Sequence, residues 1–130
     1  MTNVHTEAGS RGISFVKCPR PNLTNVVSIN PRGPQPGGQC FQFNESDDGS
    51  IDGFYCYSDY DVAWNGDSIS LWRSSNAEVK NGVVDGNNAH NGICVMFEQS
   101  EASVSGGRLE NVEARNCQGC FSGYPATDLF

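Results

Sequence analysis

The stretch Tyr57-Ser58-Asp59-Tyr60-Asp61-Val62-Ala63-Trp64-Asn65-Gly66-Asp67 interleaves three carboxylates with aromatic rings. Hard cations such as calcium take several oxygen ligands, and an indole or phenol ring offers a flat face to a sugar. Asp59, Asp61, Trp64 and Asp67 are therefore a candidate calcium or sugar loop. Their spacing is not that of an EF-hand, which needs a glycine at its sixth position and a glutamate at its twelfth. A solvated acidic loop whose aromatics fold back onto neighbouring segments uses the same residues and is the plainer expectation. Asp47-Asp48-Gly49 reads in the same plain way, as a turn. A second set is Trp72, Met96 and Tyr124, large side chains bordered by Arg73 and Glu98. If they share an outward face, they make a protein interface or a glycan platform, and the interface is the favoured reading.

Other reactive residues carry less. Six cysteines (Cys18, Cys40, Cys56, Cys94, Cys117, Cys120) are an even number, as in secreted disulfide proteins. Residues 1–12, however, lack the basic flank and apolar stretch of a signal peptide. Mostly buried or free thiols are expected, with the cytoplasm as default location and secretion left open for a fragment. Cys117-x-x-Cys120 is one half of a zinc or redox motif with no second half nearby. His90, in Asn87-Asn88-Ala89-His90-Asn91-Gly92, reads as a turn residue before a general base. A net charge of −7 repels phosphate backbones and argues against nucleic acid. No apolar run reaches half the length of a membrane span, which argues against a membrane partner. No cofactor is implied beyond calcium.

The segments that would position these residues recur. Ile13, Phe41, Ile69, Ile93 and Phe121 open successive units, and Leu23, Ile51, Val79 and Val104 follow 10, 10, 10 and 11 residues later. Ser28, Cys56, Val84 and Leu109 each come five residues further on. The last interval varies, at 13, 13, 9 and 12 residues. Two fixed sides and one variable side are the mark of a solenoid whose loops project from one corner. Phe41-Gln42-Phe43, Ile69-Ser70-Leu71 and Ile93-Cys94-Val95 alternate with a period of two, so each unit opens with a short half-buried strand. Asn25, Gly53, Asn81 and Gly106 place a left-handed-tolerant residue two positions after each second anchor, so a bend recurs there. The expected fold is an all-β parallel β-helix of four to five coils, 24–28 residues each, with little or no helix. Residues 1–12 form a polar N-terminal segment and residues 13–130 the coils. The inward ladders are then Phe41/Ile69/Ile93/Phe121, Phe43/Leu71/Val95, Ile51/Val79/Val104 and Cys56/Val84/Leu109.

The run Val79-Lys80-Asn81-Gly82-Val83-Val84-Asp85-Gly86-Asn87-Asn88, with His90-Asn91-Gly92-Ile93, resembles a coil of the right-handed parallel β-helix, or pectin-lyase-like, superfamily. The resemblance spans about Ile13 to Tyr124 and implies the fold far more than an activity, since that fold hosts many chemistries. Sets of the kind that serve catalysis in its pectin hydrolases and alginate epimerases, Gly-His-Gly with Arg-Ile-Lys or Asp-Pro-His-Glu, do not occur in this chain. A fifth coil opens at Phe121 and the sequence ends soon after, with no amphipathic capping helix. Uncapped rungs invite pairing with another molecule. The expectation is a non-catalytic module acting through self-association, most simply as a two-fold dimer, or through partner binding. The alternative is a polysaccharide-binding or polysaccharide-processing module, with Asp59, Asp61 and Arg73 as its first candidates.

Overall fold

The computed structural model describes residues 1–33, 38–58, 67–98, 104–124 and 126–127, with backbone only for 87–91, 104, 124 and 126–127. The described residues form strands and turns and no helix. Ten strands follow in order: β1 (Thr2–Glu7), β2 (Ile13–Val16), β3 (Asn22–Ile29), β4 (Phe41–Asn44), β5 (Ser50–Tyr57), β6 (Ile69–Trp72), β7 (Glu78–Glu98), β8 (Val104–Ser105), β9 (Arg108–Tyr124) and β10 (Ala126–Thr127). The main sheet pairs in the order β1-β3-β5-β7-β6-β4-β2, with β9 also on β7, and every pairing is parallel. The chain is a parallel β-solenoid. About three turns (β3/β4, β5/β6 and β7) have a neighbour on both sides; β1/β2 and β9 form the outer layers, against four to five coils expected. Residues 2–7 of the polar N-terminal segment are themselves strand β1, paired in register with β3.

One face stacks Leu23/Ile51/Val79/Leu109, Val26/Phe54/Gly82/Val112 and Ser28/Cys56/Val84/Ala114. The other stacks Ile13/Phe41/Ile69/Val95/Phe121 and Phe15/Phe43/Leu71/Phe97/Gly123. The core lies between the faces, where Phe41 meets Phe54 edge-on at 6.0 Å and Phe15 meets Phe43 at 5.9 Å. Gly82 is required by this packing, because a Cβ there would come within 2.3 Å of the Phe54 ring. The expected ladders hold through Ile69 and Val79 and then shift. Ile69 pairs with Val95 instead of Ile93, Leu71 with Phe97 instead of Val95, Val79 with Leu109 instead of Val104, and Val84 with Ala114 instead of Leu109. Val104 pairs with Ala126 in the small second sheet. For the first two the physical reason is that Ile93 and Val95 have the same parity: a two-residue slip keeps the apolar side chains inward and is invisible to hydrophobic pattern. The other two are five-residue shifts, in which Leu109-Glu110-Asn111 takes the place expected of Val104-Ser105-Gly106.

Rows of left-handed residues at equal register turn three of the bends. Lys17, Glu45 and Arg73 have φ of 51°, 49° and 51°, and Arg20, Asp48, Asn76 and Gly106 have φ of 54°, 57°, 55° and 72°. A third row is Asn3, Asn25, Gly53, Asn81 and Asn111. Gly106 thus bends the chain, but one corner earlier than expected, and Asn111 occupies the place assigned to it. Amide side chains link the rows, with Asn111 Nδ2 donating to Asn81 Oδ1 (3.0 Å) and Asn81 Nδ2 to Asp52 Oδ1 (2.8 Å). Asp47 and Asp48 do the same for the next turn, accepting from the Ser75 amide at 2.7 Å and from Asn76 Nδ2 at 3.0 Å.

Disulfides cross-link the interior. Cys40 is bonded to Cys56 and Cys94 to Cys117, with Cα separations of 5.9 and 5.7 Å. Four cysteines are therefore paired, contrary to the expectation of mostly buried or free thiols; Cys18 and Cys120 are free. Each bridge joins the start of one face to the end of the other one rung on, a proximity that exists only once the turns stack.

Val79→Asp places a charge in a fully buried ladder, and the several kcal/mol this costs rivals the whole stability of a small domain. Its circular dichroism at 25 °C should be that of an unfolded chain. Val83→Asp should stay folded, because its outward row already carries Glu113. Asn81→Ala should lose about 1–3 kcal/mol in urea titration, from left-handed strain and the severed amide ladder. Asn81→Gly should lose clearly less, since glycine accepts the same backbone conformation.

Candidate functional site

The outward rows of the β2/β4/β6 face follow from the same register. One is Val16/Asn44/Trp72/Glu98/Tyr124, the other Ser14/Gln42/Ser70/Met96/Ser122. Met96 therefore stands beside Ser70, and Glu98 separates Trp72 from Tyr124. The expected apolar column Trp72/Met96/Tyr124 does not form, because the turn after Ile69 takes 26 residues where 24 were expected. The Tyr124 side chain lies outside what the structure describes.

Trp72, Arg73 and Glu98 do come together. The Arg73 guanidinium lies 4.4 Å from the Trp72 ring centroid, in cation–π contact. Its Nη1 is 3.7 Å from Glu45 Oε1, and Lys17 Nζ is 3.9 Å from Glu45 Oε2, so charges alternate in sign up this corner. The Arg73 amide donates to the Glu98 carbonyl at 2.7 Å. These ion pairs are partly exposed and contribute little individually; their effect is to fix the rim of the face.

Of the acidic loop, Asp59, Asp61 and Trp64 lie outside the described residues. Asp67 is described, half-buried at the entry to β6, and its Oδ1 accepts the Ile93 amide of the next turn at 3.1 Å. Burial raises its pKa to about 6; the Ile93 hydrogen bond opposes the rise and the Glu98 charge adds to it. Among the described residues, no three His, Cys, Asp or Glu side chains converge as a metal site. Nothing in sequence spacing marked Asp67 as the perturbed carboxyl, because its burial comes from the neighbouring turn.

The open side of β9 is the other feature of note. Among the described residues β9 pairs with β7 alone in the main sheet. Its outward row runs Arg108, Glu110, Glu113, Arg115, with Arg108 paired to Glu110 and Arg115 to Glu113. Its inward row, Leu109, Val112, Ala114 and Cys117, is only partly covered. Phe121 is 43% exposed although Phe41, Ile69 and Val95 of the same ladder are fully buried. The rhythm of Leu23-Thr24-Asn25, Ile51-Asp52-Gly53, Val79-Lys80-Asn81 and Leu109-Glu110-Asn111 is the sequence signal that would have placed this last rung.

Compared with known proteins, the chain matches no family model and no curated protein.

The titration of Asp67 has a definite sign. A folded-state pKa raised above the ordinary 3.8 makes the bound proton stabilising. That contribution is complete below about 3.8 and is lost as pH rises through about 6. Asp67→Asn keeps an acceptor for the Ile93 amide and removes the charge. It should raise stability at pH 8 by about 1–3 kcal/mol and leave it unchanged at pH 4, as read from urea midpoints across pH. A pH-independent effect of the substitution would contradict this assignment.

Proposed function

We propose that this chain is a non-catalytic parallel β-solenoid module of the pectin-lyase-like kind that acts by self-association, most simply as a two-fold dimer, through the open side of β9. The observation that carries this reading is the half-covered inward row of β9, whose Leu109 and Val112 are only partly buried. An edge strand with a half-covered apolar row is a template for another strand. Charge complementarity selects a second copy as occupant. When β9 pairs antiparallel with itself about a point between Glu110 and Asn111, Arg108 of each copy faces Glu113 of the other. Leu109 then faces Val112, both on the inward side. The contact is isologous and closes at two chains. The alternative, a polysaccharide-binding or polysaccharide-processing module on Trp72, has less support, because one face of that ring already carries Arg73.

Sedimentation velocity over a range of concentrations tests the proposal. The chain should dimerise, Glu113→Arg should weaken the dimer roughly tenfold by opposing two cations, and Arg108→Glu combined with Glu113→Arg should restore it. Thermal midpoints should barely move, since the intrachain pairs lost are exposed. A monomer at every concentration, or a dimer indifferent to both substitutions, overturns the reading.

A further inference from the structure

Three cysteines meet at the last two rungs. Cys94 lies between Ile93 and Val95, whose register partners are Gly119 and Phe121, so Cys120 is the in-register neighbour of Cys94. Parallel neighbours sit roughly 4.8 Å apart, inside the Cα separation of about 4.4–6.8 Å that a disulfide spans. Cys94 already bonds Cys117, at a Cα distance of 5.7 Å. The sulfurs converge on two adjacent carbonyls of β9. Cys117 Sγ is 3.4 Å and Cys94 Sγ 3.9 Å from the Arg115 oxygen, and Cys120 Sγ is 3.8 Å from the Ala114 oxygen. Cys40 shows the same inward aim one position before its own anchor, 3.6 Å from the Ser28 oxygen. Cys120 differs from Cys40 and Cys94 in being free and exposed. A free thiol aimed into the interior beside a disulfide can reach two sulfurs.

We propose that Cys94, Cys117 and Cys120 form a thiol–disulfide exchange site, with Cys120 as the accessible thiol. Deprotonated Cys120 attacks Cys94 Sγ. The Cys94–Cys120 bond forms as the Cys94–Cys117 bond breaks, and the electron pair leaves on the Cys117 sulfur, which takes a proton from water. The Cys120 proton goes to solvent. One disulfide and one thiol remain, so no external oxidant is needed. The exchange moves the reactive thiol three residues along the open strand and replaces one bridge between the last two rungs by another. Small disulfides of the glutathione type are the substrate class that whichever thiol is free can take as a mixed disulfide.

The test starts from the unreduced full chain held at pH 8, trapped with N-ethylmaleimide and mapped by mass spectrometry with fragment-level localisation. Label on both Cys117 and Cys120, together with peptides linked through Cys94–Cys120, is the expected result. Cys120→Ser should abolish label at Cys117. Label confined to Cys120, with Cys94–Cys117 the sole linkage involving these residues, overturns the proposal. A second variant separates exchange from mere proximity. Cys117→Ser, equilibrated with reduced and oxidised glutathione, should form Cys94–Cys120; a folded chain in which Cys94 stays unpaired counts against the site.

Discussion

The structure depends on one constraint: the inter-turn hydrogen-bond ladder is carried around the corners as well as along the strands. Lys17 N donates to the Asn44 carbonyl, Glu45 N to Trp72 and Arg73 N to Glu98, at 2.7–2.9 Å. At the next bend Arg20 N reaches Asp47, Asp48 N reaches Ser75 and Asn76 N reaches Ser105. Every one of these donors is a left-handed residue. A left-handed non-glycine residue costs about 1–2 kcal/mol, whereas a buried amide left without an acceptor costs about 1–3 kcal/mol and breaks the stack on both sides. The ladder wins, and long charged side chains such as Lys17 and Arg73 are held in a backbone conformation they would not otherwise adopt.

A continuous ladder forces like positions over like, and side chains have used that. Ser46 and Ser74, both fully buried, fill one corner: the Cys18 amide donates to Ser46 Oγ, the Ser46 amide to Ser74 Oγ, and each hydroxyl donates back to a carbonyl of its own turn. Serine suits that column because it satisfies an amide in a space too small for a longer polar chain. Where two large groups would coincide, the column alternates instead. Gly82 receives the Phe54 ring, and Gly53 leaves room for the Asn25 side chain, whose Oδ1 would lie 2.6 Å from a Cβ at that position. The disulfides obey the same geometry, since Cys40 and Cys94 both precede an inward anchor.

Legibility of the sequence follows from which features carry phase. The 28-residue spacing of Ile13, Phe41 and Ile69 was readable because anchor, bend and second anchor recur together. The next turns fail that test: apolar alternation through Ile93-Cys94-Val95 has a period of two and fixes parity without fixing position. The bend residues hold the missing phase, since Leu109-Glu110-Asn111 repeats the apolar-charged-Asn order of Val79-Lys80-Asn81 while Val104-Ser105-Gly106 imitates it only in its apolar first and left-handed last residues. The error in register is what joined Met96 to Trp72 in one column. Pairing of cysteines and the raised pKa of Asp67 were beyond a linear reading for a different reason. Both arise between turns, from residues 16, 23 and 26 positions apart that become neighbours through stacking alone.

The same stacking rule decides how the open strand could meet a second copy. Two β9 edges can approach parallel only through a two-fold axis along the strand, and that operation turns the inward side chains of one copy outward. Leu109 and Val112 of that copy would then face water beside the charged row of its mate. An axis along the sheet normal keeps inward residues inward and makes the strands antiparallel, and the order Arg108, Glu110, Glu113, Arg115 then opposes unlike charges at Arg108 and Glu113. Joining β9 to β1 of another copy would be heterologous and would extend without limit, and it would set the partly apolar row of β9 on a strand as polar as Thr2–Glu7. Burial and charge therefore favour the same closed arrangement, in which Leu109 and Val112 of one copy would meet Val112 and Leu109 of the other.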